Sequence, residues 1–317
     1  MRKLLLFTLF AVLVGGGAAL AMTLDEALAY FPGNDIMIPY SDEGKATLEE
    51  MIEAFRTALG VGDLDEANEE DVMAFEVDAS LIDVMSKLSQ AYYTYADAFL
   101  DGEAEERPLY LRGKHWGLKV LRMDPVFSAA ENADGFAAAA ATIEVEDLSG
   151  AYWAAANWLR AAQYNPLEAV FAGVPEKTDA INKRLLEIDD TYMAFGGYRA
   201  LGAFWSGLPK LPAGYYRKNW SRSLGYFCHI VDEPEICAEW DCDVCPELGE
   251  FRPEANEYLE NRAFLVEFYL MERDMWEDAK RILEEILTEP IGDKYPLYNA
   301  ISLEKAATFL EEVEEHL

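Results

Sequence analysis

The sequence predicts an all-α protein built from helical hairpins repeated along the chain, an α-solenoid. Three observations carry this. Apolar residues recur at three- and four-residue steps in segment after segment. Gly and Pro punctuate the ends of those segments. Alternation of the kind a strand needs is scarce.

From Leu81 to Leu100, the residues Leu81, Met85, Leu88, Tyr92, Tyr95 and Phe99 form one apolar stripe on a helix, which Asp101-Gly102 ends. A second helix is expected to start near Arg107-Pro108, because proline suits a first turn. Its stripe is Leu109, Gly113, Trp116 and Val120, and Pro125 lies just beyond its end. Two such helices joined by a short acidic turn make one hairpin. Residues 126–149 are Ala-rich with scattered acids and read as a further helix carrying an exposed loop.

The pattern continues in Gly150–Gln163, where Trp153 and Trp158 are set among alanines. Ile181, Leu185, Ile188 and Tyr192 share a face, and Arg199–Leu208 follows, ended by Pro209 and Pro212. Leu259, Ala263, Val266 and Leu270 form one stripe, and Trp276, Ala279, Leu283 and Ile286 the next, ending at Pro290. A last helix spans 301–316 with Leu303, Ala307, Leu310 and Val313. Phe75–Val77 and Ile143–Val145 could be short extended pieces, but neither supports a sheet. Hairpins of about 34 residues that cannot bury their faces alone are the units of a TPR-like array. No strict period aligns here, so the fold is TPR-like rather than a regular repeat.

The ends and the composition bound the setting. Arg2 and Lys3 precede an apolar run from Leu4 to Val14, and Ala19-Leu20-Ala21 places small residues at a cleavage site. That is the layout of a secretory signal peptide over residues 1–21, leaving a helical domain over 22–317 in the periplasm or secreted. No Cys follows the cleavage site, so a lipid anchor is not indicated. With 51% hydrophobic residues the chain can bury a large core. Its 59 acidic and 26 basic residues give a net charge of −33, which repels nucleic acid and anionic membrane surfaces and excludes nucleic acid as a partner.

All four cysteines, Cys228, Cys237, Cys242 and Cys245, lie in one segment of low periodicity, 228–253, which reads as an insertion between repeat helices. In an exported protein such a set suggests disulfides, with three connectivities open. The rival reading is a zinc site using Cys242-x-x-Cys245 with Cys237 and Cys228 or His229. No HExxH, phosphate-binding glycine loop or GxSxG is present, so the sequence points to a binding protein without catalytic residues or a cofactor.

Arg199 stands among Phe195, Tyr198, Phe204 and Trp205. It reads either as a charge facing a ligand carboxylate or partner, or as a structural arginine paired with Asp189 or Asp190. Gly196, Gly197, Gly202 and Gly207 each cost about 1 kcal/mol of helix propensity relative to alanine, so they mark close approach or a bend. Tyr152, Trp153 and Trp158 read as core aromatics or as the lining of a pocket.

The stretch Thr191–Pro209, TYMAFGGYRALGAFWSGLP, resembles a segment of one family. This is the T component (TatT-type) of tetratricopeptide-repeat-associated TRAP transporters. The likeness rests on Gly196, Gly197, Arg199, Ala200, Gly202, Ala203, Phe204, Leu208 and Pro209. Tyr152, Trp153, Asn157 and Trp158 match the family's aromatic, Asn-containing helix, and Asn261, Tyr269, Asn299 and Ala300 match its late helices. The likeness covers roughly residues 80–317. Family members are often lipoproteins, which this signal peptide is not, and the Cys-rich insertion is not part of the pattern. The resemblance implies a periplasmic accessory component that docks a TRAP solute-binding protein, binds a small organic ligand of apolar character, and assembles as a homotrimer. On that reading Tyr152, Trp153, Asn157, Trp158, Tyr198, Arg199, Phe204 and Trp205 are the candidate ligand or partner residues. Without it, the same residues describe a generic exported scaffold for cell-envelope assembly.

Overall fold

The computed structural model describes residues 21–238 and 251–317. Residues 1–20 of the signal peptide read over 1–21, and Cys242 and Cys245, fall outside them. Among the described residues the chain is all-helical, with no strand. Phe75–Val77 and Ile143–Val145 are short links between helices, with no neighbouring strand to pair with.

The helices are α1 (Leu24–Leu28), α2 (Asp42–Leu59), α3 (Glu69–Ala74), α4 (Ile82–Phe99), α5 (Glu103–Met123), α6 (Pro125–Asp134), α7 (Phe136–Ala140) and α8 (Leu148–Gln163). They continue as α9 (Pro166–Phe171), α10 (Val174–Ile188), α11 (Tyr192–Gly207), α12 (Trp220–Phe227), α13 (Pro234–Cys237), α14 (Glu260–Leu265), α15 (Trp276–Thr288) and α16 (Pro296–His316). After α14 the same rod runs on through a π-helical turn, Val266–Leu270, and a 3-10 turn, Met271–Arg273.

Local chemistry sets most of the boundaries. Ser41 caps α2 by accepting the Gly44 N–H at 3.2 Å, and Gly60 at φ +72° ends it in the left-handed conformation. Asp124 accepts the Val126 N–H at 2.9 Å, and Pro125 occupies the first position of α6. A capping Asn followed by proline starts α9 in the same way at Asn165-Pro166.

Helix α5 corrects the sequence reading. It begins at Glu103 rather than near Pro108, which lies inside it. Glu103, Glu105 and Glu106 complement the helix dipole in the first turn, and the Gly102 N–H donates to Glu106 at 2.8 Å. These acids begin the helix before the proline is reached. The Ala-rich stretch 126–149 resolves into α6, α7 and a 3-10 turn at Val145–Asp147. The insertion 228–253 contains α13, and a disulfide joins Cys228 to Cys237.

Packing follows the hairpin plan. Three-residue and similarly short links make neighbours antiparallel. Helices α4, α5 and α8 pack on one another, α2 leans on α4, and α10 bridges α8 and α11. Farther on, α11 pairs with α12 and α15 with α16. Glycines set the closest crossings: a Cβ on Gly117 would sit 2.7 Å from the Ala154 backbone nitrogen. The first core joins α1 to α8 with α10 and the start of α11, and also takes in Leu297, Tyr298 and Ile301 of α16. The start of the last helix therefore returns to the first hairpin. Tyr298 meets Thr94 hydroxyl to hydroxyl at 2.9 Å, and Lys305 reaches Asp97 at 3.1 Å. A second core lies between α11, α12 and the C-terminal helices.

Candidate ligand cleft and its buried charge network

Helices α8, α9, α10, α11 and α14 leave a cleft between them of about 900 Å³, solvent at its mouth included. Its walls are apolar and aromatic: Tyr93, Trp153, Leu159, Val170 and Phe204 are among the lining residues. The short helix α9 contributes Pro166, Ala169 and Val170 to this lining. It turns Phe171, 87% exposed, toward solvent. Small residues make the space: Ala156, Gly196, Ala200, Ala203 and Gly207 line it where larger side chains would fill it.

The cleft also holds buried charge. Arg199 is almost fully enclosed. Its Nε pairs with Glu260 at 3.0 Å. Its terminal nitrogens donate to the Asn261 side-chain oxygen at 2.7 Å, the Tyr152 hydroxyl at 3.1 Å, and the carbonyls of Ala194 and Met193 at 3.2 and 3.3 Å. The guanidinium lies 4.5 Å from the Tyr258 ring centre. Burial alone would lower the Arg199 pKa, but Tyr152 and Glu260 overcome it and hold the group firmly charged.

The acceptor carbonyls come from an unusual turn. Met193, Ala194 and Phe195 have φ of 48°, 51° and 65°, three consecutive non-glycine residues in the left-handed region at the start of α11. Each costs about 1–2 kcal/mol for an L-residue. Such strain persists only where the surroundings dictate it. Here Arg199 ties two of the three carbonyls, and the Asn261 amide also donates to Ala194 at 3.3 Å. Gly196 follows at once, and a Cβ there would meet the Tyr152 ring at 2.5 Å. The glycine is therefore what lets the turn close on Tyr152.

A second cluster abuts the first. Arg160 pairs with Asp97 at 2.8 Å and donates to the Tyr93 hydroxyl at 3.3 Å. Asp97 also receives Lys305. Burial would raise the Asp97 pKa, yet Lys305 and Arg160 hold it below the usual carboxylate range. Glu267 behaves oppositely: burial pushes its carboxyl up, and the pull of Arg160 and Lys305 does not cancel that. Arg160 and Arg199 both stack toward the Phe264 ring, at 5.5 and 5.8 Å. The cleft thus offers an organic molecule apolar walls and a polar end with fixed charges of both signs.

Of the candidates named from sequence, Tyr152, Trp153, Arg199 and Phe204 meet in this cleft. The other four lie elsewhere. Asn157 is wholly buried at the α5–α8 crossing, donating to the carbonyls of Ser89 at 3.1 Å and Trp153 at 2.8 Å. Trp158 packs edge-on to Phe136 and carries the ammonium groups of Lys114 and Lys177 over its ring at 5.2 and 5.4 Å. Tyr198 stacks on His229, with ring centres 4.5 Å apart, and donates to Asp190 at 3.3 Å. Trp205 is buried beside Tyr216 and under the Arg222 guanidinium. The partner of Arg199 is Glu260 rather than Asp189 or Asp190: Asp190 pairs with Arg252 at 2.8 Å, and Asp189 accepts the Thr191 N–H.

Arg160, Tyr258, Glu260 and Phe264 line the cleft without having been singled out from sequence. One signal was present: Glu260-Asn261-Arg262 interrupts an otherwise apolar helix, and charge inside an apolar stripe asks for a partner.

Residues 75–219 match the model of one family, the TRAP transporter T-component. Over this segment the chain is similar to the T-component family. The segment spans α4 to α11 and so contains Tyr152, Trp153, Arg160, Arg199 and Phe204, while Tyr258, Glu260 and Phe264 join the cleft from beyond it. The match bears out the resemblance read from Thr191–Pro209 and supports an accessory component of a TRAP transporter. A comparison with curated proteins finds no match. No helix among the described residues is long and apolar enough to cross a membrane.

Proposed function

We propose that this T-component-type protein acts in the periplasm, after loss of residues 1–21, by docking a TRAP solute-binding protein and receiving a small, largely apolar organic ligand in the α8–α11 cleft. The cleft carries the proposal. It lies mostly within the family-matching segment, is lined by Trp153, Leu159, Val170 and Phe204, and ends on Arg160 and Arg199. The indole N–H of Trp153 is buried without a hydrogen-bond partner among the described residues, which suits a ligand acceptor. The resemblance adds a homotrimer as the working assembly. Phe171 and Leu167, exposed on α9 beside the lining residues, give the docking partner an apolar contact near the mouth.

Native mass spectrometry of protein purified from its own host tests the ligand half. We expect a small molecule to travel with the wild type and to be absent from Ala203→Trp, whose indole would fill the space. A ligand-free wild type, or equal retention by the variant, would contradict it.

A further inference from the structure

A second cleft, of about 860 Å³ with its open mouth included, lies between α2, α4 and α5. Ile52, Leu64 and Leu109 supply apolar wall, and Tyr92 and Tyr95 supply ring faces. Its acids are already engaged. Glu66 is buried and accepts from the Tyr92 hydroxyl, from Trp116 Nε1 at 3.4 Å and from Arg56 Nε at 3.3 Å. Glu49 accepts from the Tyr95 hydroxyl, and Asp65 from the Ala67 N–H at 3.1 Å. Arg56 is committed as well, to Glu53 at 2.8 Å and the Gly62 carbonyl at 3.3 Å besides Glu66.

Arg112 is the exception. It lines the same cleft, is partly buried with its Nε sealed from solvent, and has no hydrogen-bond or ion-pair partner among the described residues. In a chain with 59 acids for 26 basic residues, an arginine without a carboxylate is a departure from the general pattern. A guanidinium half out of water is costly unless paired, and its planar fork matches a carboxylate. Its charge reaches into the cleft: burial and Glu66 push the Tyr92 phenol well up, and Arg56 and Arg112 pull against them.

We propose that this cleft is a second binding site, for a small organic carboxylate whose charged end pairs with Arg112 and whose apolar body lies along Ile52, Leu64, Leu109 and the Tyr95 ring. The site is separate from the α8–α11 cleft and does not depend on the function proposed for it.

Titration with sodium benzoate, followed by calorimetry, tests it, with benzamide as the uncharged isostere. Wild type should bind benzoate saturably and benzamide at least tenfold more weakly. Arg112→Gln should lose tenfold or more in benzoate affinity, and Arg112→Lys should retain part of it. Because Arg112 holds no partner, Arg112→Gln should melt at or above the wild-type temperature, and benzoate should raise the melting temperature of wild type but not of Arg112→Gln. The proposal is overturned by an absence of saturable benzoate binding, by equal affinity in Arg112→Gln, or by equal binding of benzamide.

Discussion

Arg199 and Glu260 form an ion pair that neither solvent nor salt can easily replace, since both side chains are nearly enclosed. Removing one member of such a pair costs about 3–5 kcal/mol, because the survivor is left charged and unpaired. Glu260→Ala should therefore lower unfolding stability by about that much in urea titration. Replacing both residues, as in Arg199→Met with Glu260→Met, should recover a good part of the loss. Additive losses would mean that the pair is not coupled. At His115 the expectation concerns pH. Burial, and then Lys114, push its pKa down from 6.5 to about 4. Between those values the unfolded chain binds the proton and the folded one does not, so stability falls as pH drops from about 6.5 toward 4. His115→Gln should remove that part of the acid sensitivity, about 3 kcal/mol. Urea unfolding at both pH values measures it, and unchanged pH dependence in the variant would refute it. The charge of Glu260 beside an apolar stripe asks for a partner, but nothing local ties it to Arg199: the two are far apart along the chain, and nearby Asp189 and Asp190 were equally plausible by chemistry alone.

At the level of elements, the apolar stripes were enough to locate α4, α8, α15 and α16, because a 3.6-residue period shows directly which face is buried. Boundaries were less legible. Pro108 looks like a helix start, and only the acids before it explain why α5 begins at Glu103. The left-handed turn Met193–Phe195 was not legible at all. Its residues are ordinary, and it exists because Arg199 and Asn261 hold its carbonyls. Of the glycines read as marks of close approach or a bend, Gly196, Gly197 and Gly202 would bring an added Cβ to 2.5, 2.7 and 2.8 Å from a neighbour, Gly207 has none within 4 Å, and Gly117, not singled out from sequence, is as tight as the first three. Gly117→Ala should destabilise by about 1–3 kcal/mol, since its Cβ would meet Ala154 backbone, which cannot step aside. Gly207→Ala has nothing within 4 Å of its new Cβ and should be neutral or gain up to about 1 kcal/mol. Thermal melts of the two variants compare them, and the reverse order would contradict the packing described for α5 and α8.

The whole molecule departs from a simple stacked array in one respect. An array of hairpins contacts only its neighbours, whereas here α16 returns to α4 through Tyr298–Thr94 and Lys305–Asp97. That return closes the cleft from the C-terminal side and brings Tyr298 and Glu260 to the family-matching segment. Half of the candidate residues read from sequence fall in the cleft, because aromatic and small residues mark a cavity and a core crossing alike. Only three-dimensional placement separates Tyr152 and Phe204 from Asn157 and Trp205. The central claim remains the docking of a solute-binding protein. A pull-down with the mature protein from its native host, under conditions of active uptake, tests it most directly. The account predicts that a TRAP solute-binding protein is recovered with the wild type. Recovery of no solute-binding protein would contradict it.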